Sequence, residues 1–290
     1  TDLATMNNVP AVYSLLEDLG LRTTKSVWPL PGTEPTQTEG ATCDDPDYLR
    51  WVLELQTRGF EIGYHMATYH TSVRNRTIEG LDRFSELFGF RPKVMANHSQ
   101  CRENVYWGDA RLSGWNRVAY NALTRFRYRD RYRGHVDGDP HFWGDLCREQ
   151  ITYCRGFVFP DINTLAACPQ MPYHDPERPY VNQWYASSEG PEVNAFNRCC
   201  SEANQDRLEA EGGACIMYTH FGSGFYENGE INPRFRELIT RLSRKNGWFV
   251  PVGTLLDYLR TKNSDRDITR RERNRLERRW LQHKMKVGSS

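Results

Sequence analysis

Residues Glu61-Ile62-Gly63-Tyr64-His65-Met66-Ala67-Thr68-Tyr69-His70 decide how this chain is read. A short apolar run of strand length ends on a histidine, and a second histidine follows in a polar loop. Strand ends that aim imidazoles at one point can hold a metal ion and leave a position open for water. A later run, Ala214-Cys215-Ile216-Met217-Tyr218-Thr219, ends in the same way on His220. The recurrence points to a site at the C-terminal ends of barrel strands and to metal-assisted hydrolysis.

Working outward, apolar periodicity predicts helices over 9–20, 44–58 and 77–88, with strands over 21–30, 60–65 and 93–96 between and after them. Units of about 30 residues that alternate helix with strand predict a parallel α/β barrel or an open parallel sheet. Residues 100–190 are rich in Arg, Tyr, Trp and Asp and read as long βα loops with short elements that shape a pocket. Regular order returns with a helix over 193–211, a strand over 214–219, a helix over 234–245, a strand over 247–252 and a short helix over 254–259. No internal repeat is visible. The last stretch, 262–290, reads as a basic helical extension capped by Asp267, with Leu276, Trp280 and Leu281 as a partial apolar face. This divides the chain into a barrel domain over 1–261 and the extension. The extension is either a solvated helix docked by that face or a contact for a partner subunit or an anionic surface.

The 290 residues carry 38 basic and 37 acidic side chains, a net charge of +1 that favours neither nucleic acid nor an anionic membrane as a partner of the whole chain. No run of 18 apolar residues occurs, so no membrane span is expected. The eight cysteines form no CxxC pair, which argues against a zinc ribbon, and their scatter reads as reduced thiols in a cytoplasmic protein. The 8 tryptophans and 15 tyrosines fit a carbohydrate-facing surface as well as an aromatic core. Oligomeric state is not written in the sequence.

His65 and His70, with Asp2 as the carboxylate, form the candidate metal set. His220 is placed to protonate a leaving amine. His98, at the end of the 93–96 strand, is a further ligand, an oxyanion donor or a second acid. Asn97 beside it, and Trp143, Asp161 and Trp184 in the middle loops, are candidate substrate contacts. No P-loop, dinucleotide fingerprint or nucleophile elbow is present.

Taken in order, these motifs resemble the polysaccharide deacetylase family, the NodB homology domain. Four segments within about 1–260 carry the resemblance: Thr1-Asp2 with Thr23–Val27; Glu61–His65 with His70; Phe88-Gly89-Phe90-Arg91-Pro92 leading to Val94–His98; and Gly212–His220 with Asn246–Pro251 and Leu255-Leu256. The resemblance implies a distorted (β/α)7 barrel. It also implies one divalent metal, zinc first with manganese, cobalt or nickel as alternatives, and hydrolysis of an acetyl group from an N- or O-acetylated sugar. Under it His65 and His70 are metal ligands, Asp2 is the carboxylate ligand or the base, and His220 is the acid. Three departures stand out. The two histidines are five apart rather than four, Thr precedes Asp2 where a second Asp is usual, and Met95-Ala96-Asn97-His98 replaces the usual Arg and Pro-Tyr motif. A first strand with a partner Asp upstream of Thr1 is one expectation from this. A catalytically silent glycan- or partner-binding barrel, or a hydrolase of another C–N bond, are the alternative functions.

Overall fold

Six short strands run in one direction and lie side by side in the order in which the chain makes them. They are β1 (Thr24–Val27), β2 (Glu61–Tyr64), β3 (Val94–Ala96), β4 (Tyr153–Phe159), β5 (Gln183–Glu189) and β6 (Met217–Tyr218). All five ladders are parallel. The sheet belongs to a computed structural model that describes residues 1–263 and 266–287; residues 264–265 and 288–290 of the C-terminal extension lie outside the described residues. Sequential parallel order forces a crossover after every strand, and the twist of the strands curls the sheet. The result is a half-barrel of the distorted (β/α) type that the sequence suggests. It counts six strands among the described residues, and no ladder there joins β6 back to β1.

Helix α1 (Val9–Asp18) precedes β1, and the crossovers carry α2 (Pro46–Thr57), α3 (Arg74–Phe88), α4 (Gly114–Leu123), α5 (Gly144–Gln150), α6 (Thr164–Ala167), α7 (Val193–Cys199) and α8 (Glu202–Ala210). After β6 follow a two-stranded hairpin, β7 (Tyr226–Glu227) with β8 (Glu230–Ile231), then α9 (Pro233–Ser243), α10 (Val252–Lys262) and α11 (Arg270–Val287). Local chemistry sets several ends. The Asp45 carboxylate accepts from the backbone N–H groups of Asp47 and Tyr48, and Pro46 opens α2. Gly89 closes α3 in the left-handed conformation. Val12, Leu15 and Leu16 of α1 and Tyr48, Trp51, Val52 and Leu55 of α2 bury their stripes in the common core.

The first three helix–strand units lie where periodicity places them, with shifts of a few residues. Three readings change. The stretch read as middle loops contains β4 and β5, which at seven residues each are the longest strands of the sheet. The helix expected over 193–211 breaks at Cys200-Ser201 into α7 and α8. The strand expected over 247–252 is irregular chain, because Pro251 has no N–H for a ladder and α10 begins at once after it. All eight cysteines are free thiols.

Helix α11 lies against the barrel. Leu276, Trp280 and Leu281 are buried, and the Trp280 ring meets Tyr120 of α4 at 5.6 Å and Phe157 of β4 at 5.9 Å. Its N-terminus is closed by Thr269 and Glu272, each side chain bonding the other's backbone N–H, a capping box. Asp267, read as the cap, pairs instead with His174 at 2.8 Å. Glu277 is fully buried, yet its carboxylate accepts from Ser113, Asn116 and Arg178. Truncating Trp280 to Ala should therefore cost about 3–5 kcal/mol of stability, read as a lower urea midpoint, whereas an unchanged midpoint would mean that α11 contributes nothing to the barrel.

Candidate metal centre

Asp2 sits in a tight turn at the mouth of the curled sheet. The turn is fixed by backbone bonds from Ala4 N–H to Thr1 O, Leu3 N–H to Glu39 O and Ala41 N–H to Ala4 O. It threads past Gly222: a Cβ there would lie 2.4 Å from the backbone carbonyl of Leu3. Glycine at 222 thus lets the Asp2 turn touch the loop that carries His220. His65 directly follows β2, and its backbone N–H still bonds Val27 O of β1. The next residue, Met66, is fully buried with φ of 69°, a left-handed turn that a non-glycine residue adopts at a cost. His98 follows β3. The Asn97 side chain holds the loop after it, bonding both the N–H and the C=O of Val105 at 3.1 Å.

These elements place Asp2, His65 and His98 in one buried group whose ligand atoms all lie within 4.8 Å of one another. His65 Nε2 is 3.2 Å from Asp2 Oδ1, and His98 Nε2 is 3.5 Å from Asp2 Oδ2. His220 Nδ1 approaches the same Oδ2 at 3.5 Å from the opposite loop. Trp28, fully buried, walls the group: its ring stacks on His65 and meets His98 edge-on. A cavity of about 630 Å³ along the open edge between β1 and β6 reaches His65 and His220 and is also lined by Arg155 and Tyr218.

The donor set fits a divalent cation. The other nitrogen of His65, Nδ1, lies 2.9 Å from Ala96 O, which can only accept, so Nδ1 carries the ring proton. That carbonyl orients the imidazole as outer partners do at metal sites. Burial lowers the His65 pKa to about 4, so the ring is neutral at pH 7. Burial also disfavours the charge on Asp2, but His65, His98 and the nearby His220 outweigh it and hold the carboxyl well below its usual range. With Nδ1 turned to Ala96 O, Nε2 is the His65 atom that faces Asp2 Oδ1, 3.2 Å away. Two imidazoles and one carboxylate within reach of one point are a donor set that a divalent ion can take.

The other sequence candidates lie elsewhere. His70 is outside the group: its Nε2 accepts from the Thr33 N–H at 2.8 Å and its Nδ1 lies 3.0 Å from Thr71 O. The five-residue spacing carries it into the next turn, and His98 from the neighbouring strand stands beside Asp2 and His65 instead. Asn97 is taken up by Val105. Trp143 is fully buried and donates to Glu103 O at 2.6 Å. Asp161 accepts from Asn163 N–H and Arg207. Trp184 is buried in β5, opposite Tyr173. Tyr218 was not singled out from sequence, yet its hydroxyl lies 2.6 Å from His220 Nε2. Its position two residues before His220, on one face of a strand, was the available signal.

The fold defines a parallel (β/α) half-barrel with a His/Asp cluster at its strand ends. The crystal structure of a "putative polysaccharide deacetylase" from Mycobacterium smegmatis is similar to it, with a TM-score of 0.51 at 12% identity over 91% of this chain and 81% of that one. No family model matches the sequence, and no curated protein matches it.

Metal analysis of purified variants tests the geometry. His65→Ala and His98→Ala should each lose bound zinc, and His70→Ala should keep it; loss in His70→Ala with retention in His98→Ala would reverse the assignment. Acid should act on the metal-free protein in a stated window. The folded His65 titrates near pH 4 and the unfolded one near its ordinary 6.5, so the unfolded chain binds more protons between them. Stability should fall as the pH is lowered through 6.5 to 4. Urea midpoints of His65→Gln should fall less steeply over the same range.

Proposed function

We propose that the chain is a metal-dependent hydrolase of the polysaccharide deacetylase type, removing an acetyl group from an N- or O-acetylated sugar. The observation that carries this is the meeting of Asp2, His65 and His98, with His220 at the same Asp2 Oδ2 that His98 approaches. Held by Asp2, His65 and His98, a divalent ion would polarise the acetyl carbonyl and make a water acidic enough to attack near neutral pH.

The protein's own groups handle the protons. Asp2 is ionised and can accept the proton of the attacking water at Oδ2. His220 faces that oxygen through Nδ1, a buried atom with no hydrogen-bond partner. Burial lowers the His220 pKa to about 3 and raises that of Tyr218 to about 12, so both are neutral at pH 7. In the tautomer with its proton on Nε2, His220 donates to the Tyr218 hydroxyl oxygen and leaves Nδ1 open toward Asp2 Oδ2. Taking the water's proton from Asp2 at Nδ1 would make His220 an imidazolium, the form acidic enough to protonate the departing nitrogen or oxygen. Proton return from Asp2 to His220 then spans 3.5 Å. Arg155, whose guanidinium lies 4.2 Å from the centre of the Tyr218 ring, holds that ring in place.

Acetate release from a panel of N- and O-acetylated sugars, assayed with the zinc-loaded protein, is the test. His220→Ala should lower kcat by roughly 10²–10⁴-fold. Tyr218→Phe, which removes only the hydroxyl, should lower activity by about 10–100-fold. Release that is unaffected in His220→Ala, or absent from the whole panel with metal bound, would end this reading.

A further inference from the structure

Helix α4 is built inside out. Its polar residues face the protein: Asn116 donates to the buried Glu277 at 2.8 Å, while Arg117 and Asn121 donate to the buried Asp109 at 2.8 and 3.3 Å. Apart from Tyr120, which packs on Trp280, its apolar residues face solvent. Trp115 is 86% exposed, Val118 and Leu123 are each 56%, and Phe126 just beyond the helix is 57%. Ala119 and Ala122 are exposed between them. The positions 115, 118, 119, 122, 123 and 126 follow the helical repeat, so they form one continuous stripe. A soluble surface helix shows the opposite pattern, and a contiguous exposed apolar patch of this kind marks a contact.

The charges beside the stripe identify its occupant. Residues 114–133 hold six arginines against one aspartate, in a chain whose net charge is +1. Arg125, Arg127 and Arg129 are exposed. The aspartate, Asp130, is already shared by Arg117 and Arg129, and no carboxylate pairs with Arg125 or Arg127 among the described residues. An apolar stripe with a tryptophan and a phenylalanine, flanked by free arginines, has the make-up of a helix that lies in the plane of an anionic bilayer surface. A second copy of this chain fits it poorly: a two-fold contact along the stripe would bring like-charged arginines together. We propose that α4 and the arginine loop after it dock this protein on an anionic lipid surface, with Trp115, Val118, Leu123 and Phe126 entering the headgroup region and Arg125, Arg127 and Arg129 meeting the phosphates. This rests on the α4 surface alone and not on the metal centre. No helix among the described residues is long and apolar enough to cross a membrane, so the helix lies on the bilayer.

The test is co-sedimentation of the full chain with vesicles of equal parts phosphatidylglycerol and phosphatidylcholine, and with vesicles of phosphatidylcholine alone. Binding should be strong to the anionic vesicles, weak to the neutral ones, and reduced by salt. Arg125→Gln/Arg127→Gln should weaken it by roughly fivefold per arginine, and Trp115→Ser/Phe126→Ser should abolish it with the urea midpoint unchanged. No binding to anionic vesicles at low salt, or binding indifferent to both double variants, would overturn the proposal. So would a dimer in sedimentation velocity that Trp115→Ser/Phe126→Ser converts to monomer, because the stripe would then belong to a second copy.

Discussion

A carboxylate with three imidazoles around it cannot stay buried by default. The charge on Asp2 is costly to remove from water, and two of its neighbours are neutral rings whose pKa values burial pushes down to about 4 and about 3. The arrangement persists because the sheet leaves the groups no other place. His65 and His98 end neighbouring strands, His220 follows the sixth, and the Asp2 turn is wedged between the loops at Gly40 and Gly222. Each strand end delivers one group, and the barrel curl brings the ends together. Parallel order and site geometry are thus one constraint: a sheet that ran flat would separate His65 from His220.

That constraint explains which parts were legible in the sequence. The first three helix–strand units announce themselves by period and by caps such as Asp45-Pro46 and Gly89. β4 does not, because Tyr153-Cys154-Arg155-Gly156-Phe157 interrupts its apolar run with an arginine and a glycine that have local reasons to be there. The Arg155 guanidinium lies against Tyr218, and a Cβ at Gly156 would stand 3.0 Å from the Trp184 ring. β5 is hidden in the same way by Gln183 and three consecutive polar residues. Ser188 is one of these. It is fully buried yet bonds the Thr164 hydroxyl and the Asp161 carbonyl, a satisfied polar core position that a hydrophobic pattern does not reveal.

The site shows a similar division. His65 and His220 could be found because each ends an apolar run. His98 also ends one, but His70 competed with it in the sequence and was nearer to His65 along the chain. Only the sheet shows which of them stands beside His65, since β3 is the neighbour of β2 and places the His98 ring 5.0 Å from that of His65. Proximity in sequence was the weaker guide because a parallel sheet joins residues some 30 positions apart more closely than a loop joins residues five apart.

Arginine content was equally ambiguous until partners were known. The sequence draws attention to the arginines of α11, yet Arg273 is buried against Asp175 at 2.8 Å and Arg279 bonds the carbonyl of Ala166. Arg178, from the loop beneath, reaches Glu277 of the same helix. Several of these charges fasten the helix, and removing one partner of such a buried pair leaves the other unpaired at a cost of about 3–5 kcal/mol. The arginines after α4 have the opposite character: they are exposed and, at 125 and 127, without carboxylates. A net charge near zero therefore averages unlike arginines: some are held inside the fold, and others stand at the surface, at 270, 271, 275 and 278 of α11 as well as beside the α4 stripe. The surface arginines supply the outward field, and those after α4 lie where the fold also leaves a tryptophan uncovered.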